Sequence, residues 1–202
     1  KRYSYKCTAV RAGGYALRQF MLETCQSSIA LDLPDQRSHK VQSFLRLSIE
    51  KPNIMAAAWA GVCCSEPPCV AVSLRKATYS YNSIVQRRAF TVNVPSAQYV
   101  READWAGIAS GKDVDKFARL NFTPVKGEFV GAPYIKEFPL VIECKLLHTI
   151  EIGLHTQFIG EIMDVKAEEE ILGDKQLLLQ EKLNQFMYSP GTRTYHKTGE
   201  FL

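Results

Sequence analysis

A chain of 202 residues is long enough to bury one sizeable core, and 46% hydrophobic with 23% charged residues is ordinary for a globular domain. It contains no run of about 18 apolar residues, so a membrane-spanning helix is excluded, and its opening apolar patches, broken by Arg and Gln, do not make a secretory signal. The net charge of +4 is uneven: residues 1–52 carry nine Lys/Arg against four Asp/Glu, and the rest is nearly neutral. Without aromatic–basic repetition, that imbalance points to neither a nucleic-acid nor a membrane partner.

Residues 1–48 read as an atypical N-terminal segment. They hold one helix-like stretch, Tyr15 to Cys25, followed by a Ser/Asp/Gln/Arg-rich stretch with Pro34 that reads as a loop. From residue 49 the signals sharpen into a single domain reaching residue 202. Cys69 to Leu74 alternates Val70, Val72 and Leu74 against Ala71, Ser73 and Arg75, a strand pattern that puts Ser73 and Arg75 on one side. Thr78 is placed to cap a helix over Tyr79–Arg87. Ala89 to Val94 alternates again and Pro95 closes it.

Gln98 to Ile108 predicts an amphipathic helix, and a shorter one begins within Gly111–Phe117. Glycines and prolines break Thr123–Pro139 into short strands and turns. Leu140 to Ile150 predicts a long strand with Ile142, Cys144 and Leu146 facing in and Glu143 and Lys145 facing out; His155 to Val165 is its hairpin partner. Asp174 to Phe186 is helical in composition, Glu168–Glu170 reads as a solvated turn, and the tail is turn-like with an edge strand. There is no β-α-β-α alternation, so the fold class is mainly β with α insertions, a closed or partly open antiparallel barrel.

Six cysteines stand at 7, 25, 63, 64, 69 and 144. They make no C-x-x-C pair and no zinc-finger spacing with His, so no metal site is read, and a chain with this much core needs no disulfide framework. A reducing, cytoplasmic setting follows, with Cys144 as a small apolar strand residue. There is no Walker pattern, no G-x-G-x-x-G fingerprint and no legible Ser/His/Asp arrangement, and no catalytic residue is assigned. The informative stretch is Asn53 to Asn93. Its small residues Ala56, Ala57, Ala58, Ala60 and Gly61 around Trp59 admit a flat ligand. Arg75, Lys76, Thr78 and Ser80 beside a helix start suit a phosphate. Together they read as the binding site of a phosphorylated aromatic cofactor.

NIMAAAWAGVCCSEPPCVAVSLRKATYSY, AFTVNVPS, SGKDVDKF, EFPLVIEC, LHTIEIGLHTQFIGEI and YSPGTRTYH together resemble the flavin reductase-like, FMN-binding split-barrel family, and within it the flavoredoxins. The resemblance covers residues 50–200. It implies a six-stranded antiparallel Greek-key split barrel, a homodimer, and one FMN per subunit near the interface. It implies flavin contacts at Asn53, Ala58 and Trp59, and at Lys116, His155 and Tyr188; Cys63 is expected to pack against or weakly contact the cofactor. A lysine near the ring's carbonyl edge would stabilise the anion of reduced flavin, and a histidine could donate a hydrogen bond.

Two departures stand out. SHKVQSFLRLSIEKP lacks the Pro-Val-rich strand and Gly turn expected before the N-I-M motif, and the leading segment is about twenty residues longer than the family pattern. A shifted reading frame or start over residues 1–48 would explain both and would leave the barrel without its usual first strand. The functional expectation is a flavoredoxin-type carrier exchanging electrons with a redox protein partner. The alternatives are an NAD(P)H:flavin oxidoreductase, with the nicotinamide bound only transiently, and a flavin-free binding module on the same fold.

Overall fold

Strand patterns of period two dominate the chain, and they assemble into one antiparallel sheet. The computed structural model describes residues 5–6, 29–34, 52–197 and 199. Its main strands are β1 (Tyr5–Lys6), β2 (Ile29–Pro34), β3 (Pro52–Ala57), β4 (Ala60–Ser65), β5 (Pro68–Arg75), β6 (Ala89–Val94), β9 (Leu140–Ile152) and β10 (His155–Ala167). Short strands β7 (Pro124–Lys126) and β8 (Pro133–Ile135) pair with each other, as do β11 (Phe186–Ser189) and β12 (Thr194–Lys197).

The large sheet runs in the order β3-β2-β6-β9-β10-β5-β4, with β1 on the far end of β10. β3 and β4 therefore stand at opposite ends of the order, yet only Ala58 and Trp59 separate them in the chain. Three Cα–Cα steps span at most about 11 Å. The sheet must curl until its two ends are neighbours, and among the described residues no ladder joins them. The result is a barrel with one open seam. Its interior is filled by Val70, Val72, Leu74, Phe90, Val92, Ile142, Cys144, Leu146, Phe158 and Ile162.

Helices cover the outside. α1 (Tyr81–Arg87) follows β5, α2 (Val100–Ile108) packs on β3, α3 (Lys116–Leu120) follows, and α4 (Gln180–Leu183) precedes β11. A second apolar cluster of Ile54, Ala106, Phe117, Phe122, Ile135 and Phe138 binds α2 and α3 to β3. In it the Tyr99, Phe122 and Phe138 rings lie 5.2–5.7 Å apart.

Several expectations are corrected. Glu143 does not face out: it is fully buried, accepts the backbone N–H groups of Glu128, Phe129 and Val130 at 3.1, 2.8 and 3.1 Å, and pairs with Lys166 at 2.8 Å. β6 likewise buries both faces. Thr91 Oγ1 donates to Pro133 O at 2.7 Å, and Asn93 Oδ1 accepts from Ile135 N at 2.9 Å. The segment 127–135 lies over this face and converts polar alternation into a buried polar layer.

Thr78 does not cap α1. The helix begins after Ser80, and Thr78 Oγ1 instead donates to Arg75 O at 2.7 Å, closing the turn after β5. The short helix starts at Lys116, because Asp115 accepts the Ala118 N–H at 3.1 Å as its cap. Only Gln180–Leu183 of the stretch 174–186 is an α-helix. Leu172 and Leu178 form a bridge, and Leu183 and Phe186 are drawn into the core, which overrides local propensity. The stretch around Pro34 is a strand rather than a loop: Ile29–Pro34 pairs with β3 and β6, so the N-terminal segment does put a strand into the sheet. The helix expected over Tyr15–Cys25 lies outside the described residues. No helix among them is long and apolar enough to cross a membrane.

Candidate functional site

The open seam gathers most of the residues singled out in the sequence. Ser73 N donates to Trp59 O at 2.8 Å, which sets Trp59 two residues from the end of β5. At that end stand Arg75 and Lys76, both exposed, and the half-buried Thr78 in the turn. His155, half-buried, opens β10 directly opposite Arg75. One end of the barrel thus carries an indole, two cations, a hydroxyl and an imidazole.

Trp59 is 59% exposed. A two-residue link between strands at opposite ends of the sheet has no interior in which to hide a large ring, so the indole lies open. Beside it a slot of about 220 Å³ is walled by Ala56, Ala57 and Ala58, by Ala103, Asp104, Gly107 and Ile108 of α2, and by Tyr188 and Tyr195. The two tyrosines are direct partners across the β11–β12 hairpin, with ring centroids 5.0 Å apart. Tyr195 donates to Asp104 Oδ1 at 2.7 Å, which fixes the hairpin against α2. Burial first, and then this carboxylate, push the phenol's pKa up, so it stays protonated. A slot of alanines and aromatic faces, with one polar anchor, fits a flat aromatic ring.

Asn53, Ser80 and Lys116 turn inward instead. Asn53 is 4% and Ser80 1% exposed, and Asn53 Nδ2 donates to Ser80 Oγ at 2.9 Å. A Cβ on Gly111 would lie 2.1 Å from Asn53 Oδ1 and 2.6 Å from the Tyr79 ring, so the 110–112 turn sits directly on this pair. Lys116 Nζ donates to Ile54 O at 2.8 Å and Ala106 O at 2.7 Å, tying β3 to α2 behind the slot. Burial pulls its pKa down to about 8. Lys76 pairs with Glu151 at 2.8 Å, and Thr156 Oγ1 also donates to that carboxylate at 3.1 Å. The pairing lowers the Glu151 pKa and raises that of Lys76.

Cys63 stands apart from this group. It sits at a bulge in β4 beside Val70, five residues along β5 from Arg75 and therefore about 17 Å away along the strand. Tyr195, Asp104, Gly107 and Ile108 were not singled out from the sequence. Two signals were available: a tyrosine at each foot of the SPGTR turn, and Ala103 and Gly107 one helical turn apart, which lets α2 approach β3 closely.

An antiparallel barrel with a helix-backed seam, carrying an aromatic slot and a cationic turn, defines the split-barrel class of cofactor-binding domains. The chain belongs to the flavin reductase-like family, whose domain model matches residues 47–186. It is similar to the solved flavoredoxin of Desulfovibrio vulgaris (Miyazaki F), with 52% identity, a TM-score of 0.78, and 88% of this chain and 89% of that one covered. Flavoredoxin from Methanosarcina acetivorans is 27% identical with a TM-score of 0.76, covering 89% of this chain and 88% of that one. A split-barrel structure from Shewanella frigidimarina is 18% identical over 100% of this chain and 97% of its own, with a TM-score of 0.73, and shares the fold. Membership assigns a flavin-related redox function.

Proposed function

We propose that the chain is an FMN-binding flavoprotein of flavoredoxin type, mediating hydride or electron transfer through bound flavin. The observation that carries this reading is the exposed Trp59 indole beside the alanine and tyrosine slot, at the barrel end where Arg75 and Thr78 gather. When bound, FMN supplies the hydride and electron chemistry. The protein's own residues bind and orient it. Trp59, Tyr188 and Tyr195 offer apolar ring faces, and Ala56 to Ala58 let the backbone come close. Arg75 can grip two phosphate oxygens, with the Thr78 hydroxyl beside it and Lys76 available once it leaves Glu151. His155 adds a hydrogen-bonding group on the same rim. Lys116, Asn53 and Ser80 act from behind, holding β3, α2 and the start of α1 in register.

The slot is smaller than the roughly 300–1,000 Å³ that buries a whole cofactor, so a second wall is needed. Ile150, Ile152 and Leu154 are exposed at the tip of the β9–β10 hairpin, which rises from the same barrel end as His155. Exposed apolar side chains grouped this way support a homodimer whose partner copy closes the site.

The test is the visible spectrum of the purified protein, before and after NADH or NADPH. Flavin bands support the cofactor, and bleaching identifies the donor. Steady-state NAD(P)H oxidation with added free FMN separates the two redox readings: turnover favours a reductase, and its absence a carrier serving a protein partner. A colourless protein that fails to bind added FMN removes both and leaves the flavin-free module.

A further inference from the structure

Cys64 and Cys69 are direct partners across the two-residue turn that joins β4 to β5. Partners in an antiparallel pair have Cα atoms about 4.5 or 5.5 Å apart, depending on the type of pair. Both values fall inside the range of about 4.4–6.8 Å that a disulfide bridges without moving the backbone. As direct partners in the ladder, the two residues project their side chains from the same face of the hairpin. Cys64 is exposed and its thiol donates to Glu66 O at 3.4 Å, whereas Cys69 is only 3% exposed beneath it. The pair thus combines one sulfur open to solvent with one sheltered sulfur within reach.

We infer that Cys64 and Cys69 form a reversible, peroxide-driven disulfide across the β4–β5 hairpin. The exposed Cys64 thiolate attacks hydrogen peroxide: an S–O bond forms, the O–O bond breaks, and hydroxide leaves to become water. Cys69 then attacks the sulfenic sulfur; the S–S bond forms, the S–O bond breaks, and the hydroxyl departs as water with the Cys69 proton. Two thiols and one peroxide give one disulfide and two waters, a two-electron oxidation. A dithiol reverses it and is itself oxidised to a disulfide. Burial first, then the neighbouring Cys63 and Cys64 sulfurs and the Glu161 carboxylate, hold the Cys69 thiol up at about 11. Cys69 is thereby a poor first target for peroxide, and its part is to close on the sulfenic sulfur formed beside it across the ladder. Cys144, fully buried on β9, has no such access. The link would tie the free edge strand β4 to β5, on the strand that leads back to Trp59.

The experiment treats the reduced full chain with hydrogen peroxide and blocks remaining thiols with one alkylating reagent. It then reduces with dithiothreitol, labels the released thiols with a second reagent, and locates the labels by peptide fragmentation. Expected are second labels on Cys64 and Cys69 with the first label on Cys63, the same two second labels in Cys63→Ser, and loss of the second label from Cys69 in Cys64→Ser. A Cys63–Cys64 or Cys63–Cys69 link overturns the assignment. So does Cys64 carried to sulfinic acid while Cys69 takes the first label, or both thiols remaining unoxidised. Labelling of the wild type decides the matter even if a variant folds poorly.

Discussion

Trp59 and Lys116 show how far residue type alone misleads about role. Tryptophan is usually a core residue and lysine a surface one, yet here Trp59 is 59% exposed and Lys116 3%. The exposure of Trp59 makes a test that stability does not confound. Trp59→Ala should leave the unfolding free energy from urea titration within about 0.5 kcal/mol while weakening FMN by roughly 3- to 10-fold, the scale of a lost aromatic face. Fluorescence titration with FMN measures this, and an unchanged affinity would remove Trp59 from the site.

Lys116 gives a prediction with a definite sign. Its folded pKa is about 8 against 10.5 for a free lysine. Between those values the unfolded chain binds a proton that the folded one does not, so stability rises with pH across that window. The rise should be on the order of 2–3 kcal/mol. Lys116→Met should abolish this rise and lower stability near pH 9–10, where two carbonyls lose a donor; parallel urea-midpoint curves from pH 7.5 to 10.5 for both proteins would refute it. Lys166 acts in a different window. Burial alone would lower its pKa, but the hydrogen bonds to Asp164 and Glu143 win and raise it, so its contribution fades only above the ordinary lysine value.

Among elements, β9 shows why alternation reads only one face. The pattern correctly puts Ile142, Cys144 and Leu146 inside, but it takes the polar Glu143 as solvated. The turn at 128–130 supplies three amide donors and β10 supplies Lys166, so the carboxylate is satisfied without water. Removing a buried partner of this kind is expensive. Glu143→Ala should cost about 3 kcal/mol and raise hydrogen exchange at the amides of Glu128, Phe129 and Val130. A loss under 0.5 kcal/mol with unchanged exchange would show that the turn holds itself in place. Gly160 marks the matching constraint on β10: a Cβ there would lie 2.6 Å from the Phe90 ring, inside the barrel.

At the scale of the molecule, the open seam and the hairpin tip govern assembly. Ile152 and Leu154 are 52% and 66% exposed on a tip beside the cationic rim. The double variant Ile152→Asp/Leu154→Asp should abolish the proposed dimer in light scattering and weaken FMN binding in parallel, because the proposed second wall is lost. A wild-type monomer that binds FMN fully would end the proposal of a shared site.

Much of this was legible in the chain because period-two patterns and punctuation are local. β5, β6, the β9–β10 hairpin and α2 could all be read from hydrophobic spacing, Pro95 and Gly153. The aromatic and small-residue run around Trp59, with the cations at the end of β5, pointed to the candidate site. What could not be read depended on partners distant in sequence. Local helix propensity over 174–186 yields to the burial of Leu183 and Phe186. Asn53 and Ser80, 27 residues apart, become one buried pair only when Gly111 closes over them. Tyr195 reaches the slot because Asp104, 91 residues away, accepts its hydroxyl. By itself the sequence determined β5, β6, the β9–β10 hairpin, the aromatic run and the cationic turn, since side-chain alternation and turn chemistry act over a few residues. Only the tertiary structure decided which polar groups face the seam and which brace it from behind, because burial is set by whatever segment folds over a residue.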